Sequence, residues 1–141
     1  MYNDNQKSFA SKGYGQDKPS KKRFDFTGKP YFDPNGKLNP AWVKEYAKDL
    51  TECLADYGLT STQLRNFYNE FLRIKNMPEK SKDEKIVLIR LIVVKVHYKK
   101  LGQTQFPSFV SSLIEAVNDD LDRFSDACHI MEAIVAYNPK K

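Results

Sequence analysis

Arg65, Asn69 and Arg73 recur at four-residue steps within "LTSTQLRNFYNEFLRIK", residues 59–75. At 100° per residue they form one ridge of a helix, with Asn66 beside it and Glu70 about 140° from Arg65 around the axis. Cations and amides without a competing carboxylate suit a phosphodiester backbone, which only accepts hydrogen bonds. Thr60, Ser61 and Thr62 add hydroxyls at the start of that helix, where unpaired backbone N–H groups receive anions. Arg65 stands near the positive end of the helix dipole, locally the wrong sign for a cation. An anion bound from outside would relieve that placement. The plain alternative is an ordinary cap followed by a solvated face.

A second group lies in "KIVLIRLIVVKVHYKKLG", residues 85–102. Arg90 interrupts an apolar run, where an unpaired guanidinium would be costly, so it must reach a carboxylate, the surface or a ligand. Lys95 and Lys99 are one helical turn apart, and Lys100 extends the basic end. His97 and Tyr98 sit among them. The histidine offers a hydrogen-bonding ring, and Tyr98 either stacks on a base or packs in the core.

Catalytic patterns are missing. There is no glycine-rich phosphate loop, no G-x-S-x-G, no H-E-x-x-H and no paired-cysteine zinc spacing. His97 and His129 have no cysteine nearby, so neither a metal site nor a cofactor is expected. Cys53 and Cys128 are far apart with apolar neighbours and read as two buried structural thiols. Asp119 and Asp120 stand at a helix start, where carboxylates favour the dipole. An enzyme is not expected.

The net charge of +5 is unevenly spread. Basic residues exceed acidic ones in residues 1–40 and 60–102, while residues 41–59 and 103–141 are net acidic. Such segregation implies charged partners, or copies that set an acidic surface against a basic one. The longest apolar run is cut by Arg90 and Lys95, short of the roughly 20 residues a membrane span needs. The first residues lack the apolar core of a secretory signal, so a cytoplasmic protein with no membrane partner is expected.

The elements that must position these residues are helices. Residues 1–38 read as a polar, Lys-rich tail, with one option for order: Phe24, Phe26, Tyr31 and Phe32 pin an extended arm to the body through turns at "DPNG". Residues 39–141 read as a bundle of about five helices. Asn39 and Pro40 start the first, which runs to Gly58. Thr60 with Gln63 and Ser81 with Glu84 are capping boxes for the second and third. The third is apolar all round, the pattern of a central post buried on most sides. "FPSFVSSLIEAVND" and "DLDRFSDACHIMEAIVAYNP" supply the rest. The fold class is all-α: a compact helical bundle with an irregular N-terminal tail.

At "LTSTQLRNFYNEF", "KVHY" and "MEAIVAY" the chain resembles the small subunit of the type III-A (Csm) CRISPR interference complex. The resemblance covers roughly residues 59–137, with a Thr/Ser-rich cap before Leu-Arg, a basic-x-x-aromatic element at Lys95–Tyr98, and the Glu132–Tyr137 helix end. It implies a non-catalytic bundle present in several copies, stacked beside larger backbone subunits and lining the groove that holds guide RNA paired to target RNA. Arg65 and Lys95 match the basic positions that look toward RNA. His129 falls where many members carry Arg or Lys. The Arg that often follows the central aromatic is absent from "KKLGQTQ", leaving Lys99 or Lys100 to supply its charge. The resulting RNA-binding set is Arg65, Asn69, Arg73, Arg90, Lys95, Lys99, Lys100 and His129. Two other readings stay open: a helical protein-interaction adaptor with no nucleic-acid role, and a small DNA-binding protein, the latter without an evident helix-turn-helix.

Overall fold

Two reciprocal caps start the helices that carry most of the candidate residues. In the computed structural model, which describes residues 22–78, 80–99, 101 and 103–139, Thr60 Oγ1 accepts from the Gln63 backbone N–H at 3.1 Å. The Gln63 side chain accepts from the Thr60 N–H at 2.9 Å. Ser81 and Glu84 repeat the arrangement. Each box satisfies two N–H groups that a helix start leaves unpaired. The five α-helices are α1 (Glu45–Asp56), α2 (Ser61–Lys75), α3 (Lys82–Tyr98), α4 (Phe106–Val117) and α5 (Leu121–Tyr137). No strand occurs among the described residues.

The first helix differs from expectation. Asn39 and Pro40 start a separate 3-10 turn, Pro40–Val43, and α1 begins only after Lys44, whose φ of −140° and ψ of −99° break the helical path. The break turns Trp42 fully into the core, where its indole N–H donates to the Lys29 carbonyl at 3.0 Å. Packing of the indole against Tyr31, Phe109, Tyr46 and Phe24 rewards the turn.

Residues 22–38 form the aromatic arm. Phe24 and Tyr31 are buried, and Tyr31 shares a hydrogen bond with Ser112 at 2.6 Å. The Gln105 side chain pairs with both backbone groups of Phe24, at 2.8 and 2.9 Å. Asp33 Oδ1 holds the "DPNG" turn by accepting from Asn35 and Lys37 N–H groups. Gly36 takes φ +85° there, and a Cβ on it would press on the Arg123 guanidinium at 3.2 Å. The part of the tail before residue 22 lies outside the described residues.

The central post is α5, not α3. Helix α5 packs on α1, α2, α4 and the 3-10 turn, whereas α3 packs on α4 and α2. Only Ile89, Ile92 and Val96 of α3 are fully buried. Val87, Leu91, Val94 and Tyr98 face outward, exposed by 57, 40, 59 and 81%. Their 4-3-4 spacing makes one stripe along the outer side of the helix. An apolar composition on every side says that α3 can be buried, not that this chain alone buries it. Cys53 and Cys128 are buried free thiols. Burial pushes Cys128 up to about 12 and raises Cys53 as well, which leaves both unreactive.

Candidate nucleic-acid interface

Helices α2 and α3 pack together, and Leu64 and Phe67 of α2 and Ile92 and Val96 of α3 are buried in the shared core. Outside that apolar contact the seam opens into a cleft of about 290 Å³ lined by Gln63, Asn66, Phe67, Glu70, Lys95, Lys99 and Leu101. The α2 ridge of Arg65, Asn69 and Arg73, all exposed, runs beside it. Arg73 of α2 and Lys95 of α3 meet at Glu70, and Lys95 and Lys99 line the cleft, whereas Arg65 stands about 140° around α2 from Glu70.

That surface is not free of carboxylates, as the sequence reading had required. Glu70 accepts from Arg73 Nε at 3.1 Å and Nη2 at 2.6 Å, and from Lys95 Nζ at 2.8 Å. The 140° separation holds between Glu70 and Arg65, but Arg73 is three residues from Glu70 and so a neighbour on the same side. Lys95 reaches the same oxygen from α3. The Arg73 hydrogen bonds, followed by those of Lys95, hold the Glu70 carboxyl down at about 2. It is ionised at any physiological pH.

These pairs temper the cations without removing them. Arg73 and Lys95 keep about half of their side-chain surface exposed, and exposed pairs of this type are worth about 0.2–1 kcal/mol. A phosphate oxygen can displace such a carboxylate at small cost. Arg65 makes no ion pair among the described residues, and three cations, Arg73, Lys95 and Lys99, to one carboxylate leave the cleft positive.

Other candidates fall elsewhere. Arg90 leaves α3 about 140° around the axis from Lys95 and donates to both carboxylate oxygens of Asp119, holding that carboxyl below its usual range. The costly interior placement never arises, since Arg90 is exposed. Asp119 thus serves as an acceptor for α3, while Asp120 alone caps α5 by accepting from Asp122 and Arg123 N–H groups. His129 lies on α5 beside Glu132, 3.4 Å away, in a groove with Leu38, Val43, Ala133, Ala136 and Tyr137 that shares no residue with the cleft. His97 turns to Ser111 of α4 at 3.1 Å. Lys100 lies outside the described residues.

Three features of the surface are not signalled by the local sequence. The Thr60 N–H is spent on the Gln63 side chain and its hydroxyl oxygen accepts from the Gln63 N–H, so only the hydroxyl proton of Thr60 remains to donate to an anion, beside the hydroxyls of Ser61 and Thr62. Gln63 and Leu101 line the cleft; the capping role of Gln63 gives no signal of it, and no pattern in the sequence singles out Leu101. Tyr98 is not a core residue; its ring is the most exposed large apolar group described.

No group of His, Cys, Asp and Glu able to hold a metal ion occurs among the described residues, and no described helix is long and apolar enough to cross a membrane. The model of one protein family, Csm2 Type III-A, matches residues 37–139. No curated protein and no solved structure matches.

Proposed function

Because the match of residues 37–139 spans well over half of the sequence, the chain belongs to the Csm2 type III-A family and is a subunit of a type III-A CRISPR effector; from that premise we propose that it is a non-catalytic, RNA-backbone-binding component that stacks in several copies along the guide–target duplex. The observation that carries the RNA reading is the convergence of Arg73 of α2 with Lys95 and Lys99 of α3 around a single carboxylate. Backbone contacts of this kind position an RNA without reading its bases, so binding is largely independent of sequence.

Stacking finds support in two surfaces. The outer stripe of α3 leaves Val87, Leu91 and Val94 open to water, and covering such side chains is worth about 1–2 kcal/mol each. On α1, Glu45, Asp49, Glu52 and Asp56 are exposed at the same 4-3-4 spacing and form an acidic ridge. A copy that sets its acidic ridge against the basic side of the next makes a heterologous, open stack. The larger subunits of the complex are the remaining protein partners, and the setting is the prokaryotic cytoplasm.

The test is an RNA shift assay with the full chain at two salt concentrations. If each copy holds about three phosphates, log K falls with log salt at a slope near −2, at about −0.7 per phosphate on single strands. An affinity for RNA that is absent at low salt returns the reading to a protein-interaction adaptor. Sedimentation at low and high salt tests the stack: self-association that salt leaves unchanged removes charge as its organiser.

A further inference from the structure

The cleft between α2 and α3 contains more than backbone binding uses. Its floor is apolar, formed by Phe67 and Leu101, both nearly buried at 8 and 9% exposure. The Phe67 ring is fixed from behind by Phe106, with centroids 5.3 Å apart. One wall carries the Asn66 amide, which makes no hydrogen bond among the described residues, and the Gln63 amide. Gln63 spends its oxygen on the Thr60 N–H, so its NH₂ group remains a donor with no hydrogen bond among the described residues. Glu70 supplies a fixed acceptor, since two cations hold its carboxylate in place. Lys95 and Lys99 stand at the mouth, one turn apart.

Phosphate has no use for an apolar floor or for a carboxylate. A planar, neutral ring with hydrogen-bonding edges uses both. At about 290 Å³ the cleft is at the small end of ligand pockets, which typically run from roughly 300 to 1,000 Å³. It therefore suits one ring system rather than a longer ligand. We propose that this cleft seats one unpaired nucleobase of the bound RNA, its face on Phe67 and Leu101, its edge on Asn66, Gln63 and Glu70, and its phosphate between Lys95 and Lys99. This rests on the RNA-binding reading above. A base whose edge offers adjacent N–H donors, guanine above all, satisfies Glu70 best.

The test uses the isotopically labelled full chain and backbone amide spectra, with millimolar guanosine monophosphate against ribose 5-phosphate as the probe that lacks a base. Guanosine monophosphate shifts the amide signals of Gln63, Asn66 and Leu101, and ribose 5-phosphate leaves those three in place. Asn66→Trp, which fills the cleft from an exposed position on α2, abolishes the base-dependent shifts. In parallel, replacing the nucleotides of a single-stranded RNA by abasic ones weakens binding roughly tenfold, within the range for a sequestered base. Equal shifts from the two small probes, or guanosine shifts that persist in Asn66→Trp, overturn the proposal. RNA that binds equally well with and without bases overturns the pocket and leaves the backbone reading standing. A chain that binds no RNA at all overturns both.

Discussion

Glu70 and Lys95 face each other across the seam of α2 and α3, the ammonium 2.8 Å from an oxygen that Arg73 also reaches from within α2. One carboxylate thus ties together the two helices whose cations make up the strip, and it occupies the place a phosphate oxygen would take. Glu70 both assembles the surface and competes for it. Replacing it with Gln keeps the size and an acceptor oxygen but removes the charge. Glu70→Gln is expected to bind abasic single-stranded RNA, which offers a phosphate backbone and no base edge, about two- to fivefold more tightly at low salt, in line with the ~0.2–1 kcal/mol of an exposed pair. Filter binding against wild type checks it. Weaker binding by the variant would mean that Glu70 acts by positioning Arg73 and Lys95 more than by competing with RNA.

The same carboxylate has a pH signature. Arg73 and Lys95 depress it from 4.5 to about 2 in the folded chain. A depressed carboxylate adds stability that is present above its unfolded value and is lost as pH falls through its folded value. Glu70 therefore contributes a loss of stability between about pH 4.5 and 2. Urea unfolding across that window, compared between wild type and Glu70→Gln, isolates the contribution as the difference between the two curves. The variant's curve should be the flatter one.

Placement of the remaining candidates separates those on the proposed RNA strip from those that lie elsewhere. Arg65→Ala with Lys95→Ala removes two cations from the strip and should weaken RNA binding by about the same factor for every sequence, flattening the salt slope by about 1.4 on single strands. Arg90→Ala and His129→Ala touch neither the strip nor its cleft, and each should leave affinity nearly unchanged. Unchanged affinity in the first double variant would remove the strip; a large loss in Arg90→Ala would move the RNA path to the outer side of α3.

How much of this was legible depended on how local the signal is. Both capping boxes could be read because each is closed by residues three apart, Thr60 with Gln63 and Ser81 with Glu84. The break at Lys44 could not. No Gly or Pro marks it, and its reward is tertiary, the burial of Trp42 against the arm and α4. The role of α3 was misread because apolar residues on all sides do not say which side meets another helix. The angle between Glu70 and Arg65 does not locate the carboxylate, because Arg73 within the helix and Lys95 across the seam decide where it reaches. Sequence spacing gives the ridge on one helix; pairing across two helices is set by packing.

Thr51 offers a test of the core itself. It lies on α1 with no exposed surface, and its hydroxyl has no hydrogen-bond partner among the described residues. A hydroxyl in that state forfeits its bonds to water without replacement, at a cost of about 1–3 kcal/mol. Valine has nearly the same shape and no polar atom, so Thr51→Val should relieve the cost without leaving a cavity. The opposing effect is the comparable stiffness of both side chains in a helix, which cancels to first order because both are β-branched. A net gain of about 1 kcal/mol follows, and for a folded chain of well over 100 residues it raises Tm by roughly 3–4 °C, at about 2.1 cal/mol/K of unfolding entropy per residue. Thermal unfolding of the two proteins side by side measures it. A lower Tm in Thr51→Val would mean that the hydroxyl is satisfied after all, by a buried water or by its own helix, and that the core around α1 is wetter than its burial implies.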